Sequence, residues 1–355
     1  HSLSTRDSFC LISLLICNTL RSFSFLSVTH TRNMPPTLNN DMASSIASSS
    51  PQPSTSKPHL DVHYTAPGFC PPHPDTVDQL CEDRSNLIFC HGVVIVKISP
   101  EVAVKFGPHI NIIEAKNMIY ITQNTGVPVP KVFAYYTYGP IDRDPDDFGG
   151  LYDTYIFMSY VAGETLYEAW NSLSVSTKSH ILRQLASCVQ EIRDVEPAGY
   201  IGSIDRGPVT DCCLATSIDK GIALGISDHY TRTNHLFQGP FDSEQEFNTA
   251  IINNYLNNAP KRHIKSFLSG MLPVSHRILF AHGDLRPQNI IVKDGKVAAI
   301  IDWERSGWYP EYWEYAKALL VWHWQSDWTD YLVQILQPYD AEYFMHSFLM
   351  EKLLI

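Results

Sequence analysis

From residue 87 onward, the order of apolar and polar positions assigns elements. In LIFCHGVVIVKISPEVAVKFG (87–107), two β-branched runs at 93–98 and 101–106 flank Ser99-Pro100, which predicts a β-hairpin. In residues 110–124, apolar side chains at 112, 115, 119 and near 122 fall on one helical face. Gly126 and the VPVP at 127–130 stop that helix. KVFAYYTY (131–138) and TYIFMSYV (154–161) read as two more strands, joined by GPIDRDPDDFGG, an exposed turn. Residues 87–161 therefore predict a small antiparallel sheet with one inserted helix.

After Gly163 the period becomes helical. Residues 174–195 place Ile181, Leu182, Leu185, Val189 and Ile192 on one face, behind Ser and Thr N-cap candidates. Residues 243–257 open with Ser243 and Glu246 at capping-box spacing and carry Phe247, Ile251 and Tyr255. Residues 310–324 and 327–355 read as closing helices, and the Gly-rich stretch 200–240 receives no assignment.

The first sixty residues follow neither pattern. The apolar run 9–20, FCLISLLICNTL, is shorter than the roughly twenty residues a membrane span needs. Its length suits a signal-peptide core with Arg6 as a weak flank, but no small-x-small cleavage site follows. The first Met is Met34, so an upstream extension of the gene model and a targeting segment are the competing readings. Residues 35–58 are rich in Ser, Pro, Thr and Asn and are expected to be disordered. No stable membrane span is expected, and a cytoplasmic location is, with run 9–20 leaving targeting open.

Composition narrows the class. The 16 Phe, 18 Tyr and 7 Trp are ample for a sizeable core. A net charge of −11 argues against general nucleic-acid binding, which needs Lys and Arg clusters, but not against binding a nucleotide. The 8 Cys are scattered, without CxxC or zinc-finger spacing, and read as reduced thiols in a reducing compartment.

The chemistry sits in FAHGDLRPQNIIVKDGKVAAIIDW (280–303). Runs 290–292 and 296–302 form a hairpin around Asp294-Gly295, a strong two-residue turn signal. Asp284 and Asn289 lie on the loop before it, and Asp302 ends its second strand, so the three can converge at one mouth. Phosphoryl transfer needs such a set: a carboxylate to take the proton of an attacking hydroxyl, and hard oxygen ligands for a divalent cation on the phosphates. The Asp284-to-Asn289 step is also that of the protein-kinase catalytic loop.

HGDLRPQN followed by IIDWE resembles the aminoglycoside phosphotransferase and choline kinase group, and most of all its fungal phosphotransferase-family members, over roughly residues 87–330. The resemblance implies an α+β, bilobal, protein-kinase-like fold: a small antiparallel-sheet N-lobe with one helix and a larger, mainly helical C-lobe. Residues 61–161 would form the nucleotide-binding N-lobe and 162–355 the C-lobe with the catalytic loop, with 1–60 outside both. It implies an ATP- and Mg²⁺-dependent enzyme that phosphorylates a small-molecule hydroxyl. Asp284 would be the catalytic base, with Asn289 and Asp302 as Mg²⁺ ligands. Lys105 would hold the α/β-phosphates and Glu114 would orient it. Residues 157–161, with Met158 and Tyr160, would form the hinge against adenine. The sequence leaves the oligomeric state open, and a catalytically silent, nucleotide-binding relative is the alternative.

Several residues have competing readings. Arg286, where the family often has His or a small residue, either neutralises the γ-phosphate or is a solvated loop residue. Glu101 rivals Glu114 as partner of Lys105. His282 is a ligand, a general base or a structural residue beneath the loop. Trp303, Trp308, Tyr309, Tyr312 and Trp313 form either a cage for a cationic substrate or core. Glu304, Glu311 and Glu314 either attract an amine or form a solvated face. The hairpin at 93–98 lacks GxGxxG, and no DFG or APE sequence follows Asp302, which argues against a protein kinase.

Overall fold

A computed structural model describes residues 57–90, 93–143, 150–211, 239–258, 264–319 and 327–353. The run 9–20, nearly all of 35–58 and most of 200–240 lie outside the described residues. One compact unit spans Pro58–Ile355 and carries all the elements below.

The front of this unit comprises β1 (His59–Thr65), α1 (Pro74–Glu82), β2 (Leu87–Cys90), β3 (Val94–Lys97), β4 (Val102–Gly107), α2 (Ile112–Asn124), β5 (Val132–Gly139) and β6 (Asp153–Ser159). Its strands form one antiparallel sheet in the order β1-β5-β6-β4-β3-β2. Alternation along each strand gives the sheet two faces. Val96, Val104, Phe106, Tyr155 and Phe157 join one buried cluster with Val77 of α1. The paired rings of Phe106 and Tyr155 stack at 4.9 Å on that face. Ala103 and Lys105 point the other way, with Ile156 and Met158 opposite them across the ladder. A bulge between Val132 and Ala134 re-aims β5, so Val132 joins the central core and Ala134 the outer cluster.

β1, α1 and β2 complete this lobe beyond the elements that periodicity predicts. β1 is exposed at most positions, so it shows no apolar alternation. α2 starts where Asn111 accepts the Ile113 N–H on its side chain. It buries Glu114, Ala115, Asn117, Met118 and Ile121.

The back comprises β7 (Glu164–Thr165), α3 (Leu166–Ala169), α4 (Val175–Arg193), α5 (Glu244–Asn258), α6 (Ile264–Met271), β8 (Ile278–Ala281), β9 (Ile290–Lys293), β10 (Lys296–Ile300), β11 (Gly307–Pro310), α7 (Trp313–Leu319), α8 (Trp328–Tyr331) and α9 (Asp340–Leu353). Ser174 caps α4 by accepting the Thr177 N–H, and Ile181, Leu182, Leu185, Val189 and Ile192 are buried as the period requires. β9 and β10 pair antiparallel around Asp294 (φ 51°) and Gly295 (φ 73°), the two left-handed residues a tight hairpin turn needs.

Two helix assignments change. Residues 307–310 are β11, paired with β8 and buried throughout, so the helix begins only at Trp313. Over 327–353 there are two helices, with a 3-10 turn at Leu332–Gln334 and a non-helical stretch containing Pro338 between them. Asp302 lies just past β10 rather than within it. Among the described residues, no helix is long and apolar enough to cross a membrane.

Candidate active site

β4 delivers Lys105 to the face opposite the outer cluster, where it is buried. Its Nζ lies 2.7 Å from Glu114 Oε2, 2.9 Å from Glu114 Oε1 and 2.9 Å from Asp302 Oδ1. One amine thus joins the sheet, α2 and the segment after β10. Glu101, the rival partner, is exposed on its own hairpin. Burial alone would lower the Lys105 pKa, but Asp302, Glu114 and Glu304 outweigh it and hold the amine above its ordinary value. Burial raises Asp302, yet Lys105, Arg286 and Arg305 bring its carboxyl down to about 2. Glu114 is pushed up to about 7 by burial, with Lys105 pulling against Asp302 and Glu304.

Asp302 is left-handed, at φ 66° and ψ 61°. For a residue with a Cβ this conformation costs about 1–2 kcal/mol, so the neighbours must hold it. Trp303 Nε1 donates to Ile300 O at 2.8 Å, and Asn117 Nδ2 donates to Trp303 O at 2.8 Å and to Ser306 O at 3.2 Å.

The HGDLRPQN loop follows β8. His282 accepts the Asp284 N–H on Nδ1 at 3.2 Å, and its Nε2 lies 3.0 Å from Ile301 O. Accepting on Nδ1 leaves Nε2 to carry the proton, so both nitrogens are committed to backbone and the structural reading of His282 holds. Gly283 has φ 79°, and a Cβ there would lie 2.6 Å from Arg305 O, so only glycine fits. The buried Glu314 carboxylate accepts the His282 and Gly283 N–H groups. Asn289 Nδ2 donates to Asp284 O at 2.9 Å and to Asp284 Oδ2 at 3.0 Å. Arg286 Nη2 lies 3.2 Å from the same Oδ2. Arg286 is therefore no solvated loop residue: it is half-buried, pairs with Asp284, and its charge also lowers Asp302. Among the described residues, no hydrogen bond reaches Asp284 Oδ1.

The expected hinge divides. Met158 pairs with Ala103 on the Lys105 face, whereas Phe157 is wholly buried in the outer cluster and cannot meet a base. The Ser159 N–H donates to Lys131 O and the Tyr160 N–H to Glu101 O, both at 2.8 Å. Lys97 Nζ lies 3.9 Å from the Tyr160 ring centroid.

The aromatic group is core, not a cage: Trp303, Trp308, Tyr309, Tyr312 and Trp313 are each at most 2 % exposed. The acidic trio separates as well. Glu311 pairs with Arg277 at 2.8 Å, Glu314 holds the loop, and Glu304 comes to the site. Carboxylate oxygens of Glu114, Asp302 and Glu304 lie within 4.8 Å of one another. Hard oxygen donors of this kind suit a divalent cation such as Mg²⁺. Sequence reasoning missed the roles of Asn117, Glu304 and Glu314. A polar residue at a core-facing helical position was the available sign for Asn117 and Glu314.

A strand-borne Lys paired with a helix-borne Glu, above a loop with Asp, Asn and a following Asp, is the layout of the protein-kinase-like fold. The profile of the phosphotransferase enzyme family matches residues 91–350, and the chain belongs to that family. Among solved structures, the ADP-bound aminoglycoside phosphotransferase APH(2'')-Ib is 12 % identical, with 79 % of this chain and 84 % of that one covered at a TM-score of 0.45. Aminoglycoside phosphotransferase APH(3'')-Id from Streptomyces rimosus is 14 % identical, with coverages of 79 % and 98 % and a TM-score of 0.44. No curated protein matches the chain.

Proposed function

We propose that the protein is an ATP- and Mg²⁺-dependent kinase of a small-molecule alcohol. The observation that carries this reading is Lys105 of the sheet lobe held at 2.9 Å from Asp302 of the helical lobe. Lys105, oriented by Glu114, binds the α/β-phosphates, and the cleft face with Met158 and Tyr160 receives the base. Asn289 and Asp302 would hold Mg²⁺, and Glu304 would add negative charge near them. When bound, Mg²⁺ neutralises charge on the phosphates.

Asp284 orients the acceptor hydroxyl and takes its proton on Oδ1. The hydroxyl oxygen then bonds to the γ-phosphorus as the bond to the β-phosphate oxygen breaks, releasing ADP. Arg286 offsets charge on the moving phosphoryl group. Positioning and electrostatics, not covalent chemistry, supply the rate.

A metabolite-library screen for Mg²⁺- and ATP-dependent phosphorylation tests this reading. Asp284→Asn should lose roughly 10²–10⁴ in turnover with its thermal midpoint preserved, and Asp302→Ala should lose Mg·ATP use. Nucleotide binding without turnover of any hydroxyl compound would favour the silent alternative. Full activity in both variants would overturn the assigned roles.

A further inference from the structure

An amide of α2 reaches the backbone of the opposite lobe. Asn117 is fully buried and lies three residues after Glu114, on the same face of the helix. Its Nδ2 reaches the carbonyls of Trp303 and Ser306, which bracket the turn just after Asp302. Ser306 in turn donates its hydroxyl to His282 O at 2.9 Å, at the start of the catalytic loop. Among the described residues, the buried Oδ1 of Asn117 has no hydrogen-bond partner. An orphaned acceptor is unfavourable, so the side chain is held there for its two donors.

We infer that Asn117 is a positioning residue, a latch that fixes the left-handed Asp302 carboxylate against the Lys105–Glu114 pair and so sets the cation-binding geometry. This rests on the nucleotide-kinase reading above. Asn117 touches no substrate in that reading. It acts by bonding the backbone on the C-terminal side of Asp302, while Lys105 grips the carboxylate from the sheet side. Without the amide, Ser306 O loses its Asn117 donor, and Trp303 O keeps only the Ser306 N–H at 3.3 Å. The turn at 303–306 can then relax, and Asp302 is free to leave its strained conformation.

The test compares Asn117→Leu with Val77→Ala, a core truncation in the outer cluster on the opposite face of the sheet from Lys105. Two quantities are read on the full chain: amide exchange at residues 302–306, and the Mg²⁺ concentration that half-maximally promotes ADP binding in calorimetry. The latch predicts faster exchange at 302–306 and an Mg²⁺ requirement raised about tenfold in Asn117→Leu, with both unchanged within about twofold in Val77→Ala. Should the leucine variant not fold, the same criterion passes to Asn117→Ser. Equal behaviour of the Asn117 variant and Val77→Ala overturns the inference. A wild-type chain that shows no Mg²⁺-dependent ADP binding overturns the kinase reading instead, and the exchange data still decide whether the latch exists.

Discussion

Lys105 and Asp302 stand 197 positions apart in the chain and meet at 2.9 Å, with both partners largely withdrawn from water. The contact has a measurable pH signature. In the wild type, Asp302 sits at about 2, below the ordinary carboxylate value of 3.8. Its contribution to stability is therefore complete above 3.8 and lost as pH falls through 2. Lys105→Met should reverse the sign. Glu114, Asp302 and Glu304 would then share uncompensated charge, their folded-state pKa values would rise, and stability would be lost as pH increases. The variant should lose about 3–5 kcal/mol relative to wild type near pH 8 and less near pH 5. Urea midpoints at the two pH values check this, and an equal loss at both would refute it.

Gly283→Ala should be far more damaging than its one added methyl suggests. The new Cβ would press on Arg305 O, a carbonyl fixed from the other side by the Tyr309 hydroxyl at 3.3 Å. Together with the left-handed backbone at Gly283, a loss of roughly 2–4 kcal/mol is expected. Chemical denaturation measures it. A loss below about 1 kcal/mol would mean that the loop can shift to accept a side chain.

His346 gives the back lobe an acid weakness. It is 1 % exposed, and neither ring nitrogen has a hydrogen-bond partner among the described residues. Burial, with Lys317 nearby, pushes its pKa down to about 3 against the pull of Asp211. The unfolded chain takes a proton near pH 6.5 that the folded chain refuses, so stability falls as pH drops from there towards 3. His346→Leu removes this liability and should gain on the order of 2–3 kcal/mol over wild type between about pH 7 and pH 4.5. Parallel stability curves for the two proteins would contradict the assignment.

The site was more legible in the sequence than its supports. Asp284, Asn289 and Asp302 stand out because a tight hairpin announces where they converge, and Lys105 because α2 follows it. Asn117 and Glu314 gave only a weak local sign, a polar side chain at a core-facing helical position. Asn117 resembles any polar residue within a helix, and its partners lie 186 and 189 positions away. Glu314 read as surface acid because a carboxylate is seldom buried, yet two loop N–H groups make burial tolerable. β11 was hidden since Gly307–Pro310 is apolar on both sides and carries no period of two. β1 was hidden for the opposite reason, being mostly exposed on both faces.

That unassuming first strand matters at the bench. β1 runs alongside β5 from the His59↔Gly139 pair to Thr65↔Ala134, and β5 has only β6 on its other side. Trimming the chain past Thr65 to tidy its front end would strip β5 bare and leave a row of unmet amides and carbonyls for a neighbouring molecule to zip onto. Shortened versions meant for expression or crystallisation should therefore begin upstream of His59.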